Sequence, residues 1–130
     1  MKKSRLKKTS KQPISKIQRE LWEHCKRIIR KKYGNTCYTC FRTGLEGSNW
    51  HTGHLFAKAS ISAYLKYDLR VLRPQCYFCN INCGGRGADF IENMRLIEGD
   101  AYVDAIIADK TKSVKAYDHY VKLLEEYKKL

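Results

Sequence analysis

Apolar residues recur along the chain with a helical period in three places, and between the first and second lies a stretch with no period. Ile14, Ile17, Leu21, Cys25 and Ile28 follow one another at three, four, four and three residues, with Trp22 and Ile29 widening the stripe. That spacing keeps side chains on one face of an α-helix. Ser15 and Gln18 have the spacing of a capping box at its start, and Gly34 supplies a stop. Helical patterning returns from Ala88 with Phe90, Ile91, Met94 and Ile97, breaks at Glu98-Gly99-Asp100, and resumes with Tyr102, Ile106 and Ile107. A last helix is expected from about Ser113, with Val114, Tyr117, Tyr120, Val121, Leu124 and Tyr127 as its apolar face. Aromatic residues at helical spacing are read as core rather than as base-stacking platforms.

Residues 35–87 differ: they hold five of the six cysteines and two of the four histidines, and they read as irregular structure organised around a site. The whole chain has 130 residues, the size of one domain, and is short enough to gain from a metal staple. With 43% hydrophobic residues it is not expected to be disordered throughout. No apolar run approaches the roughly 20 residues of a membrane span, and the start MKKSRLKKTSK lacks the apolar stretch of a signal peptide. A cytoplasmic location is expected, where cysteines serve as thiols or metal ligands rather than disulfides.

Charge is unevenly placed. Residues 1–32 hold 13 basic and 2 acidic side chains, residues 33–87 hold 6 and 2, and residues 88–130 hold 7 and 9, for a net charge of +13. The sequence divides into a flexible basic arm, residues 1–13, and a single domain, residues 14–130. Lys2, Lys3, Arg5, Lys7 and Lys8 suit a phosphate backbone, whose counterions they would release. A solubilising tail or an anionic membrane patch has the same charge but would need an amphipathic anchor to hold a membrane, and residues 1–12 have none. The polar side of the first helix, with Lys16, Arg19, Lys26, Arg27, Arg30 and Lys31, is either a solvated face or a second phosphate-facing surface.

Cys37-Tyr-Thr-Cys40 and Cys76-Tyr-Phe-Cys79 are two C-x2-C pairs, the spacing that places two thiolates on one tetrahedral zinc. The 35 residues between them exceed a compact zinc ribbon, so the metal clamps the two ends of an inserted element. That insert contains Trp50-His51-Thr-Gly53-His54, whose histidines can be ligands, a base and a ligand, or surface groups. Asn80 follows the second pair directly, as a helix cap or a carbonyl donor to a hard cation. The run Cys83-Gly84-Gly85-Arg86-Gly87 lacks the Lys-Ser/Thr of a phosphate-binding loop. Arg70, Arg73 and Arg86 lie near in sequence and can clamp phosphate in a bidentate manner or simply face solvent. Cys25 reads as packed, Cys83 as a possible but unneeded fifth ligand, and His24 and His119 as surface residues.

The order Cys-x2-Cys, Trp-His-x-Gly-His, Cys-x2-Cys-Asn resembles the lambdoid-phage NinG (Rap) recombination endonucleases over roughly Ser15 to Leu130. The segment from Arg70-Val71 to Asn80 is also similar to phage Holliday-junction resolvases of the endonuclease VII type. The resemblance implies an α+β fold, a zinc-braced ββα-metal (HNH, or His-Me finger) core with an N-terminal basic helix and C-terminal helices. It implies His54 as general base, Asn80 as a ligand of a catalytic Mg2+ or Mn2+, structural Zn2+ on the four cysteines, and cleavage of branched DNA by a phage protein in a bacterial host. Many relatives carry an Asp just before the base, where this chain has Gly53. His51 is the candidate replacement ligand, and Asp68 lies near the central Asn position, which falls at Val71. Two symmetric cuts would suit a two-fold homodimer, though no heptad specifies one. The rivals are a non-catalytic zinc-containing DNA-binding module and an HNH nuclease for nicking, homing or packaging.

Overall fold

The computed structural model describes residues 11–130. Helix α1, Ile14–Tyr33, buries Ile17, Leu21, Cys25, Ile28 and Ile29, the stripe expected from their spacing. Each such side chain contributes on the order of 1.5–3 kcal/mol by leaving water. The stripe packs against helix α5, Ala116–Tyr127, which buries Tyr120, Leu124 and Tyr127. The start of α1 corrects the capping-box expectation. Pro13 occupies the N-cap position with extended backbone, and its carbonyl accepts the Lys16 and Ile17 N–H groups at 3.1 and 3.3 Å. Ser15 therefore falls inside the first turn, and no side chain caps the end. Gly34 ends the helix at φ 74°, a conformation that favours glycine, with its N–H on the Arg30 carbonyl at 2.9 Å.

The central stretch holds one antiparallel pair, β1 (His51–His54) and β2 (Leu72–Gln75), in the register His51↔Gln75, Thr52↔Pro74, Gly53↔Arg73 and His54↔Leu72. A short helix α2, Ala63–Lys66, and a 3-10 turn over Leu69–Val71 connect the strands. After β2 a single π-helical turn, Phe78–Asn82, carries Asn80. Helices α3 (Gly87–Glu98) and α4 (Asp100–Ala108) follow, split at Gly99 with φ 97°, where the apolar pattern breaks. The pattern overshoots in two places: Ile97 and Ile107 are exposed, and α5 begins at Ala116, which leaves Val114 outside it. The class is thus mixed helix with a small sheet, compatible with α+β.

Strand β2 is buried along its whole length, and this moves Arg73 from a phosphate clamp to a structural tie. Its guanidinium is fully buried. Nη1 donates to the carbonyls of Leu69, Arg70 and Leu72, and Nη2 donates to Glu98 Oε2 and the Tyr102 hydroxyl at 3.2 and 3.1 Å. The Tyr33 ring lies 4.2 Å from its Cζ. One side chain thereby joins β2 to α1, α3 and α4. Glu98 keeps 26% of its side chain exposed and can turn to water, so the cost lies in the carbonyls and the Tyr102 hydroxyl left without the guanidinium: Arg73→Met is expected to destabilise the domain by about 1–3 kcal/mol in urea unfolding. A loss within ~0.5 kcal/mol, the range of ordinary surface substitutions, would mean that the tie is not needed.

Candidate metal centre and candidate active site

The cysteine knuckles converge as their spacing predicts. The sulfurs of Cys37, Cys40, Cys76 and Cys79 all lie within 4.8 Å of one another, and Cys40 and Cys76 are 3.8 Å apart. A tetrahedral zinc with Zn–S near 2.3 Å needs sulfurs about 3.8 Å apart, so the four can hold one ion. The first knuckle is fastened to β2 by the Tyr38 N–H on the Pro74 carbonyl at 2.9 Å. In the second, the Cys79 N–H points at Cys76 Sγ, 3.5 Å away. Burial pushes the Cys37 thiol up, but hydrogen bonds from Thr39 and nearby backbone groups bring it down to about 6. Burial pushes Cys40 up to about 12. Cys83 lies outside this cluster. Cys25 is packed as expected: burial raises it to about 12, and its thiol donates to the Tyr67 carbonyl.

The clamped insert places His51 and His54 at the two ends of β1, on the wall of an open cavity of about 910 Å³ that Asn80 also lines. His54 Nε2 lies 3.1 Å from the Lys66 carbonyl. A carbonyl only accepts, so Nε2 carries the hydrogen and Nδ1 keeps the lone pair. The imidazole stacks on Trp22 at 5.3 Å and 6°. Burial lowers its pKa to about 4, against the opposing pull of the Lys66 carbonyl and with help from the Lys58 and Lys66 charges. The group is therefore a neutral, oriented base at pH 7.

His51 is held in the same manner, Nε2 against the Ser48 carbonyl at 3.0 Å, which leaves Nδ1 as the acceptor. That nitrogen faces the Asn80 amide Nδ2 at 3.1 Å. Asn80 reaches this place because Cys79 fixes the π-helical turn beneath it. As placed, the Asn80 Nδ2 donates to that nitrogen and occupies its lone pair, so a divalent ion would be held by His51 Nδ1 and the Asn80 Oδ1 only once the amide turned over. The charged residues lining the cavity are Lys26 and Lys58, and among the described residues it has no carboxylate.

That residue 53 is glycine has a steric reason. A Cβ there would run into the side-chain amide of Gln75. Gln75 is fully buried and donates to Thr39 Oγ1 at 3.0 Å and to the Gly85 carbonyl at 2.8 Å, joining the first knuckle to the glycine-rich run. Sequence reading missed Gln75, because the signal exists only in the strand register.

The remaining candidates separate. Asp68 and Asp109 both grip Arg70, at 2.8 and 2.9 Å, so neither Arg70 nor Asp68 faces the cavity, and Val71 is core. Arg86 stands at the start of α3 beside Asp89, with its Cζ 5.8 Å from the Phe78 ring. Lys2, Lys3, Arg5, Lys7 and Lys8 lie outside the described residues. His24 and His119 are half-buried rather than fully on the surface; His119 stacks on Tyr64. Trp22, read as part of the core stripe, instead lines the cavity, while Lys26 and Trp50 join that cavity to a smaller groove with Arg27 and Arg30. Arg30 lies over the Trp50 ring at 4.6 Å. No helix among the described residues is long and apolar enough to cross a membrane.

Compared with protein-family models, curated proteins and solved structures, the chain matches none.

Proposed function

We propose that this protein is a metal-dependent DNA endonuclease of the ββα-metal type that hydrolyses phosphodiester bonds in branched DNA, Holliday junctions and D-loops, during phage recombination. The observation that carries the reading is His54: a neutral imidazole, Nε2 tied to a backbone carbonyl, ring stacked on Trp22, in the same cavity as the His51–Asn80 pair. The β1–β2 pair followed by the turn bearing Asn80 gives the order strand, strand, helical turn that such a centre requires. The branched substrate comes from the motif resemblance.

In this reading Lys58, together with Lys26 once a phosphate displaces its Glu23 partner, draws a DNA phosphate to the cavity. His54 Nδ1 then takes the proton of a water attacking phosphorus, the role of a general base, while the bond from phosphorus to the 3′ oxygen breaks and that oxygen picks up a proton from solvent water. A Mg2+ or Mn2+ on His51 and Asn80 would supply charge stabilisation at the scissile phosphate. The ring keeps its orientation throughout because Nε2 stays on the Lys66 carbonyl and Trp22 covers its face.

A synthetic four-way junction offered beside linear duplex of the same sequence tests the reading. Cutting of the junction with added Mg2+ or Mn2+, and none without the ion, is the expected result. Binding with no cutting under any divalent ion would hand the protein to the zinc-bearing DNA-binding class.

A further inference from the structure

The second cysteine knuckle does more than hold metal. Its sulfurs are buried, yet the side chains between and after them turn outward: Tyr77 is 48% exposed, Phe78 49% and Ile81 52%. Single exposed apolar side chains are ordinary on a protein surface. Three on one short turn, anchored at two points to a four-cysteine cluster, form a rigid apolar ridge. The turn is pinned again by the Tyr77 N–H, which donates to Asn49 Oδ1 at 2.9 Å.

The ridge adjoins the candidate active site. The Tyr77 ring meets His51 edge-on at 5.4 Å, Ile81 lines the cavity that holds His54 and Asn80, and Asn80 itself lies on the same turn. Cations stand beside it, though Arg86 is paired with Asp89 and Lys26 with Glu23. Arg86 lies over Phe78, while Lys26 and Lys58 line the cavity beyond Ile81. An apolar strip beside cations suits a nucleotide strand, which carries π-faces on one side and phosphates on the other. A duplex hides those faces in its stack, whereas a branch point exposes bases whose stacking is interrupted. Apolar side chains wedged at such a step gain contact at little unstacking cost.

We infer that Tyr77, Phe78 and Ile81 form a wedge on which an unstacked nucleobase at a DNA branch point seats, so that the zinc knuckle selects DNA by branching rather than by sequence. The inference rests on the nuclease reading for its substrate but not for its test, which needs no cleavage. Full-length, zinc-loaded protein is titrated, without added Mg2+ or Mn2+, into a four-way junction and into linear duplex of the same sequence. Phe78→Ala and Tyr77→Ala are each expected to weaken junction binding roughly tenfold or more, from the loss of base–aromatic stacking, and duplex binding less than twofold. Phe78→Trp should retain the junction preference. Ile81→Ser, away from the sulfurs, provides a variant less exposed to misfolding, and zinc content with a thermal melt confirms that each variant is folded. Equal losses on both DNAs, or no loss on either, would overturn the wedge, the latter leaving the ridge to another partner. Wild-type protein that binds neither DNA would instead overturn the nuclease reading itself.

Discussion

If the protein cleaves DNA as proposed, His54→Ala is expected to lower cleavage by about two to four orders of magnitude, the usual contribution of a positioned general base. Junction affinity and zinc content should change little, because a base acting on water contributes to the transition state rather than the ground state. The pH profile gives a second readout. Burial holds the free protein's His54 near 4 instead of its ordinary 6.5, so the imidazole stays neutral well into acid. The acid limb of kcat/KM should therefore lie near pH 4 rather than near 6.5. The same shift sets a stability trend. Between pH 6.5 and about 4 the unfolded chain binds a proton that the folded chain refuses, so stability falls as pH falls through that window. On the proposed reading, Asn80→Ala should weaken binding of the divalent ion and recover in part at high Mn2+, and His51→Ala should behave likewise if its Nδ1 is a ligand. Wild-type cutting by His54→Ala would remove His54 from the role of base.

Loss of any one zinc ligand is expected to have the larger effect on the fold. Purified protein should carry one zinc per chain, and Cys76→Ser should lose it together with the tertiary structure around β2. Structural zinc in small sites contributes on the order of 10–16 kcal/mol, against a typical total stability of about 5–15 kcal/mol. The first knuckle reaches β2 through Tyr38 and Thr39, and the second continues directly from it, so separating the sulfurs removes the fastening at this end of the sheet. Metal analysis and circular dichroism decide the matter. Less than about half an equivalent of zinc in protein that remains fully folded would contradict a structural role.

The helices and the four-cysteine cluster were legible in the chain because their signals are local. A stripe at three- and four-residue spacing specifies a buried helix face wherever the helix docks, and Ile17, Leu21, Cys25 and Ile28 are buried. Two C-x2-C pairs can satisfy a tetrahedral ion in few other ways, and their sulfurs converge. Glycine at 34 and 99 marked breaks because those positions take positive φ. Helix boundaries were less legible: Pro13 displaced Ser15 from the cap, since its carbonyl takes the first turn's N–H groups.

The arginines show where local reading ends. Arg70, Arg73 and Arg86 look alike in sequence, yet one is held by two carboxylates, one is sealed inside the core, and one stands at the rim of the ridge. Which way a guanidinium points depends on whether its strand is covered on both faces, and that depends on elements distant in the chain. The sequence by itself determined the helical stripes, the four-sulfur cluster and the residues from which a site can be built. Tertiary structure decided how they meet: the register of β1 on β2, the Gln75 amide filling the space above Gly53, the pairing of His51 with Asn80 across 29 residues, and Trp22 turned from core filler to the stacking partner of His54. Each is a contact between segments far apart in sequence, fixed by packing and strand pairing that no local period encodes.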